Sequence, residues 1–198
     1  MAGYLAVPAV GQAIVLLLQD HYRPGDFNTP LDFRLYLARD FAEPMNAGVS
    51  VFLYRIFQNG MQKNHTWRPA DGMASQTVLP LDLHFLLSIW AQDASMQHTI
   101  AGWMMRTIQD TPVLPASFLN RQFPGLFRRE EVVTITPAEL GTEELFRIWE
   151  VIVNHSYQLS IPYVARMVRI ESEEPSDEGG RPVQERIFDI GRPTGDGS

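Results

Sequence analysis

The sequence has no cysteine and only one lysine, Lys63. Without thiols there are no disulfides, no thiolate metal ligands and no cysteine nucleophile. Fifteen of the 16 basic residues are therefore arginine, the side chain suited to planar, fixed pairing at interfaces. No apolar run is long enough to span a bilayer: the longest near the N-terminus is Ala13 to Leu18, and the first basic residue, Arg23, lies beyond it. That order is wrong for an export signal, so neither a signal peptide nor a membrane anchor is expected, nor any membrane contact. A basic surplus is missing too, with 23 acidic against 16 basic residues and a net charge of −7. A nucleic-acid partner is not expected, because no excess of cations is available to displace counterions. Neither GxGxxG nor GxxxxGK[ST] occurs, so backbone cradles for nucleotide phosphates are missing, as is the Gly-x-Ser-x-Gly elbow of hydrolases.

What remains is 198 residues with 45% hydrophobic and 20% charged side chains, enough for one compact core. The charge is uneven. Residues 171–198 carry 8 acids and 3 arginines, leaving residues 1–170 with 15 acids and 13 bases. We divide the chain into a domain, 1–171, and an acidic linker with a C-terminal arm, 172–198.

The periodicity of the domain predicts an α/β fold, a central mixed sheet of four to six strands packed by about three helices. Val10, Ile14, Leu17 and Leu18 recur at helical spacing and mark an N-terminal helix. Leu31, Phe33, Leu35 and Leu37 alternate with Asp32, Arg34 and Tyr36, as in a strand with one wet face. Val49 to Phe57 is apolar on both faces and predicts a central strand. Leucine, phenylalanine or isoleucine fills every odd position from Leu79 to Ile89, a third strand, which could turn helical near Trp90. Asp93 or Ser95 can cap a helix with Met96, Ile100, Trp103, Met104 and Ile108 on its apolar face. Residues 112–131 read as irregular, Val132 to Ile135 as a short strand, and Thr136 to Glu139 as a capping-box turn. Thr142 opens a helix that buries Leu145, Ile148, Trp149 and Ile152. Tyr157 to Ile170 forms a long strand in which Pro162 predicts an edge or a bulge.

Candidate chemistry is sparse. The five histidines show neither HxH nor HxxxH spacing. Asp82 and His84 lie two apart on one strand face and could serve as metal ligands or as an acid/base pair. We read them as the polar side of that strand, because a third ligand is missing; the alternative is a small metal-dependent or acid/base enzyme. No catalytic residue, metal site or cofactor is assigned. Phe118, Arg121, Phe123, Phe127, Arg128 and Arg129 interleave aromatic rings with cations, the residue types enriched at protein interfaces, unless the phenylalanines simply cover the core.

The arm carries Val183, Ile187, Phe188 and Ile190. Burying these four side chains yields about 8 kcal/mol, whereas ordering eight residues costs about 12 kcal/mol. Backbone hydrogen bonds of about 1 kcal/mol each from the edge of another sheet would close the gap. The arm is thus expected to add as a strand to a neighbouring subunit.

Taken as an ordered set, the N-terminal helix, Val49-Ser-Val-Phe-Leu-Tyr-Arg-Ile, Leu79-Pro-Leu-Asp-Leu-His-Phe-Leu-Leu, Ile108-Gln-Asp-Thr-Pro-Val, Val133-Thr-Ile-Thr-Pro, Leu145-Phe-Arg-Ile-Trp and Tyr157-Gln-Leu-Ser-Ile-Pro-Tyr resemble one family over about residues 5–171. It is the N-terminal domain of cap, or tube-terminating, proteins of extracellular contractile injection systems, the phage-tail-like particles that include the Photorhabdus virulence cassettes and antifeeding prophages. The resemblance implies a tail-terminator-like fold and a hexameric ring on the inner tube protein and adjoining sheath protein. It also implies assembly in the cytoplasm before incorporation into the particle. Arg128, Arg129 and the four apolar residues of the arm are the candidate partner contacts. The 59–77 connection and the arm depart from the family pattern.

Overall fold

A computed structural model describes residues 3–59, 78–152 and 157–172. Six strands form one sheet: β1 Asp32–Tyr36, β2 Gly48–Gln58, β3 Val78–Trp90, β4 Val113–Pro115, β5 Val132–Pro137 and β6 Ser160–Glu171. Their order is β1-β2-β3-β6-β5-β4. Only β1 and β2 run parallel; every other neighbouring pair is antiparallel. The helices are α1 Ala6–His21, α2 Ala94–Asp110, the single turn α3 Ala116–Leu119, and α4 Thr142–Ile152. The expected mixed α/β sheet is therefore present; the C-terminal arm lies outside the described residues.

β3 shows why the sheet is buried on both faces. Its odd positions Leu83, Phe85, Leu87 and Ile89 pack with Val49, Val51, α1 and α2 in a large core. Its even positions Leu86 and Trp90 enter a second core with Tyr36, Phe41, Met45 and Trp149. The strand stays extended through Trp90 instead of turning helical, because the β2 pairing continues to Gly48↔Trp90. Between the two large side chains, Ser88 lies in register with Ser50 on one side and Ser160 on the other. These buried hydroxyls are paired: Trp90 Nε1 donates to Ser50 Oγ at 2.8 Å and Ser160 Oγ donates to Ser88 Oγ at 2.8 Å. Buried polar groups are retained at little cost only when satisfied in this way.

The second core changes the reading of β1. Tyr36, assigned by alternation to a wet face, is 8% exposed, while Leu37 is 58% exposed. Tyr36 packs edge-on against Phe41 and accepts a 2.9 Å hydrogen bond from Met45 N at its hydroxyl. A 3-10 turn, Ala38–Ala42, carries the chain over this face, held by Asp40 Oδ2 accepting from Leu37 N at 2.7 Å. The crossover re-enters the sheet at Gly48, where φ is +142° and an added Cβ would stand 1.9 Å from Asp32 O.

Two further expectations are corrected and a third, the edge at Pro162, is met locally. Residues 112–131 include β4 and α3, and Asn120 closes their loop by donating to Phe127 O and accepting from Phe127 N, both at 2.8 Å. Thr136 and Pro137 are paired within β5, opposite Val164 and Tyr163, and do not form a capping turn. β6 is an interior strand. Pro162 is tolerated there because β5 pairing ends at Pro137↔Tyr163. The Pro162 carbonyl faces that side and accepts from Ala138 N at 2.9 Å. Its missing N–H therefore points where no ladder continues. The irregularity of β6 lies instead at Arg166 and Met167, with Met167 at φ +68°. The α2 cap is Asp93, whose Oδ1 accepts from Met96 N at 2.9 Å. In α4, Trp149 is buried while Leu145, Ile148 and Ile152 are half-buried around it.

Gly48→Ala is expected to cost about 3 kcal/mol or more, since both the backbone conformation and the contact with Asp32 are violated. Denaturant unfolding of the two proteins measures it.

Candidate assembly interface

The strands of the sheet differ in length, and this creates an open edge. β1 pairs with β2 only from Asp32↔Gly48 to Tyr36↔Phe52. Beyond that point, among the described residues, no strand pairs with the outer side of β2. On its inner side β2 stays paired to β3 as far as Gln58↔Leu81. The irregularity between Leu53 and Arg55 gives β2 an extra residue, Tyr54, so Arg55 and Phe57 share the face of Asp82 and His84. Arg55, Ile56, Phe57 and Gln58 are all exposed. Ile56 and Phe57 are 49% and 41% exposed, and the Arg55 guanidinium lies 3.6 Å from the Phe57 ring centroid.

Asp82 and His84 sit at this end of the sheet and do not form an acid–base unit. The Asp82 carboxylate accepts from Asn59 Nδ2 at 3.2 and 3.3 Å and lies 3.6 Å from Arg166 Nη1. The His84 ring instead packs edge-on against Tyr54 and Phe57. Burial, reinforced by the Arg55 charge, holds the His84 pKa below the ordinary 6.5. Among the described residues no three acidic, histidine or cysteine side chains converge as a metal site would require.

The Phe/Arg segment divides into core and surface. Phe127 is buried, and Phe118 and Phe123 pack against the large core, so the phenylalanines cover it. Arg121 lies 5.2 Å over the Phe118 ring and pairs with both carboxylate oxygens of Asp20, which raises the Arg121 pKa. Arg128 is turned inward. Its Nη2 donates to Glu171 Oε2 at 2.7 Å, with the two side chains 21% and 5% exposed. Its backbone N–H donates to Glu131 Oε2 at 2.6 Å. Burial and the neighbouring Glu171 charge raise the Glu131 pKa. Arg129 is exposed. Val183, Ile187, Phe188 and Ile190 lie outside the described residues, as do residues 60–77.

Periodicity could not reveal the open edge, which follows from pairing register; its only trace in the sequence is the unequal length of the first two strand runs. The Arg128–Glu171 pair, 43 residues apart, had no local signal at all.

The family model described as the Pvc16 N-terminal domain matches residues 9–185. The chain belongs to this family. The match extends beyond Glu171 into the acidic segment. Among solved structures, the chain is similar to the sheath/tube terminator of an extracellular contractile injection system, PVC, in its extended state. The TM-score is 0.58 at 18% identity, over 86% of this chain and 58% of that one. It is also similar to the anti-feeding prophage cap, a tube-terminating cap, with a TM-score of 0.57 at 16% identity over 84% of this chain and 56% of that one. The chain thus spans less than three-fifths of either. No curated protein matches significantly.

Two outcomes are expected. Arg128→Met strands the Glu171 carboxylate in a site that is 5% exposed, at a cost of about 3–5 kcal/mol, and adding Glu171→Gln regains part of it; unfolding midpoints of the single and double variants read this. His84, with its folded pKa lowered, favours the folded state when neutral, so its contribution is fully present above pH 6.5 and is lost as the pH falls below it. The stability–pH slope in that window should flatten in His84→Gln, measured by thermal melts.

Proposed function

We propose that this chain is a structural cap that terminates the inner tube and sheath of a phage-tail-like contractile injection system, acting as a ring of six copies and carrying out no catalysis. The observation that carries the reading is family membership across residues 9–185, joined to a fold shared with two tube terminators. A terminator has to match one growing face and present another that refuses the next subunit. Six contacts held in one ring reinforce each other through effective concentration, so each can be individually weak. A rigid sheet buried on both faces suits that task, and the Asp82 and His84 arrangement gives no support to an enzyme.

In this reading the protein assembles in the cytoplasm and ends as part of the particle. The tail Val183–Ile190 adds as a strand to a neighbouring cap or sheath subunit, and exposed Arg129 with the surrounding 112–131 surface faces the tube. Electron microscopy of particles with gold-labelled protein tests the placement. Label should sit at one tube end in sixfold rings, and label scattered along the sheath would reject the proposal. Deleting residues 172–198 should leave the domain folded while lowering cap occupancy; unchanged occupancy would reject the role of the tail.

A further inference from the structure

The geometry points to the open edge of β2, Tyr54–Gln58, as the seat of the C-terminal strand of a second copy of this chain. The inference rests on the proposed ring, which brings copies together, and adds where one copy grips the next.

A strand without a partner on one side presents free backbone N–H and C=O groups, a template that natural sheets cover, charge or use. This edge displays Ile56 on one face and Arg55 and Phe57 on the other, all exposed, and Arg55 forms no ion pair among the described residues. Alternation in the arm supplies the complement. Antiparallel addition with Asp189 opposite Arg55 sets Phe188 opposite Ile56, Ile187 opposite Phe57 and Arg186 opposite Gln58, one opposite-charge pair and two apolar pairs in a single register. Other registers match less well. In parallel addition, Glu185 opposite Arg55 forces Arg186 onto Ile56, and Asp189 opposite Arg55 leaves Phe57 facing Gly191.

Linker length permits a second copy as well as the same chain, and the proposed ring is what supplies a neighbouring copy. The arm departs from β6 at Glu171, three strand positions from the open side of β2, a distance of about 14 Å. Residues 172–182 span at most about 36 Å. Fully extended, this segment reaches well past the gap within its own chain, far enough for an edge on an adjacent copy.

The absence of cysteine makes the test clean. Full-length Ile56→Cys and full-length Phe188→Cys are mixed and oxidised, then analysed by non-reducing gel and peptide mass spectrometry. A disulfide joining position 56 of one chain to position 188 of another is expected, with at least tenfold less product when Arg186→Cys replaces Phe188→Cys. Failure to form the 56–188 link in the mixture would overturn the proposal. So would a double variant whose link forms only within single chains. Arg55→Asp should weaken self-association about tenfold, and adding Asp189→Arg should restore it; equal association in all three proteins would also overturn it. If rings still sit on tube ends while the 56–188 link fails, the seat is wrong and the cap reading stands. If the link forms but no ring is found on a tube end, the seat is right and the cap reading falls.

Discussion

Everything in this fold is arranged around a strand that is hydrogen-bonded on both sides and buried on both faces. β3 lies between β2 and β6, sends its odd residues into the large core and sends Leu86 and Trp90 into the small one. A strand in that position has no freedom to shift register, since a slip of one residue would exchange its two faces. The paired serines Ser50, Ser88 and Ser160 add a further constraint, because displacing the ladder would leave buried hydroxyls unpaired. α1 belongs to the same design. It is buried around much of its circumference, with Ala6, Ala9, Ala13, Ile14, Leu17 and Leu18 all closed to solvent. The sheet can therefore act as a stiff plate whose rim is available for contacts with other molecules.

Much of this plate was legible from alternation and helical spacing. The run from Leu79 to Ile89 and the doubly apolar Val49 to Phe57 locate its two longest early strands, and Asp93, one of two capping candidates with Ser95, marks the start of α2. The errors share one physical cause: local pattern reports what one face of a segment does and says nothing about what packs on the other. Tyr36 looked solvent-facing until Phe41 and the 3-10 turn closed over it. Pro162 did mark a local edge, the point where β5 pairing ends, although β6 as a whole is an interior strand. The candidate site was less legible than the fold. Arg55 and Phe57 acquire meaning from the early termination of β1, and Arg128 from a carboxylate at the far end of β6, both of which are facts of register and tertiary contact.

The Arg128–Glu171 pair holds the end of β6. Glu171 is the last residue of β6 and is nearly buried, so the pair secures the end of that strand. A two-faced core, a strand end held by an ion pair and, among the described residues, a stretch of β2 paired on one side only are the features that distinguish the rim of the sheet.

The central claim is that shape alone stops a filament. The most direct measurement is the length distribution of tubes and sheaths assembled with and without the protein, viewed by electron microscopy. With the protein present, lengths should be narrow and the ends blunt; without it, tubes should run to broadly distributed lengths. Identical distributions in the two preparations would contradict the account.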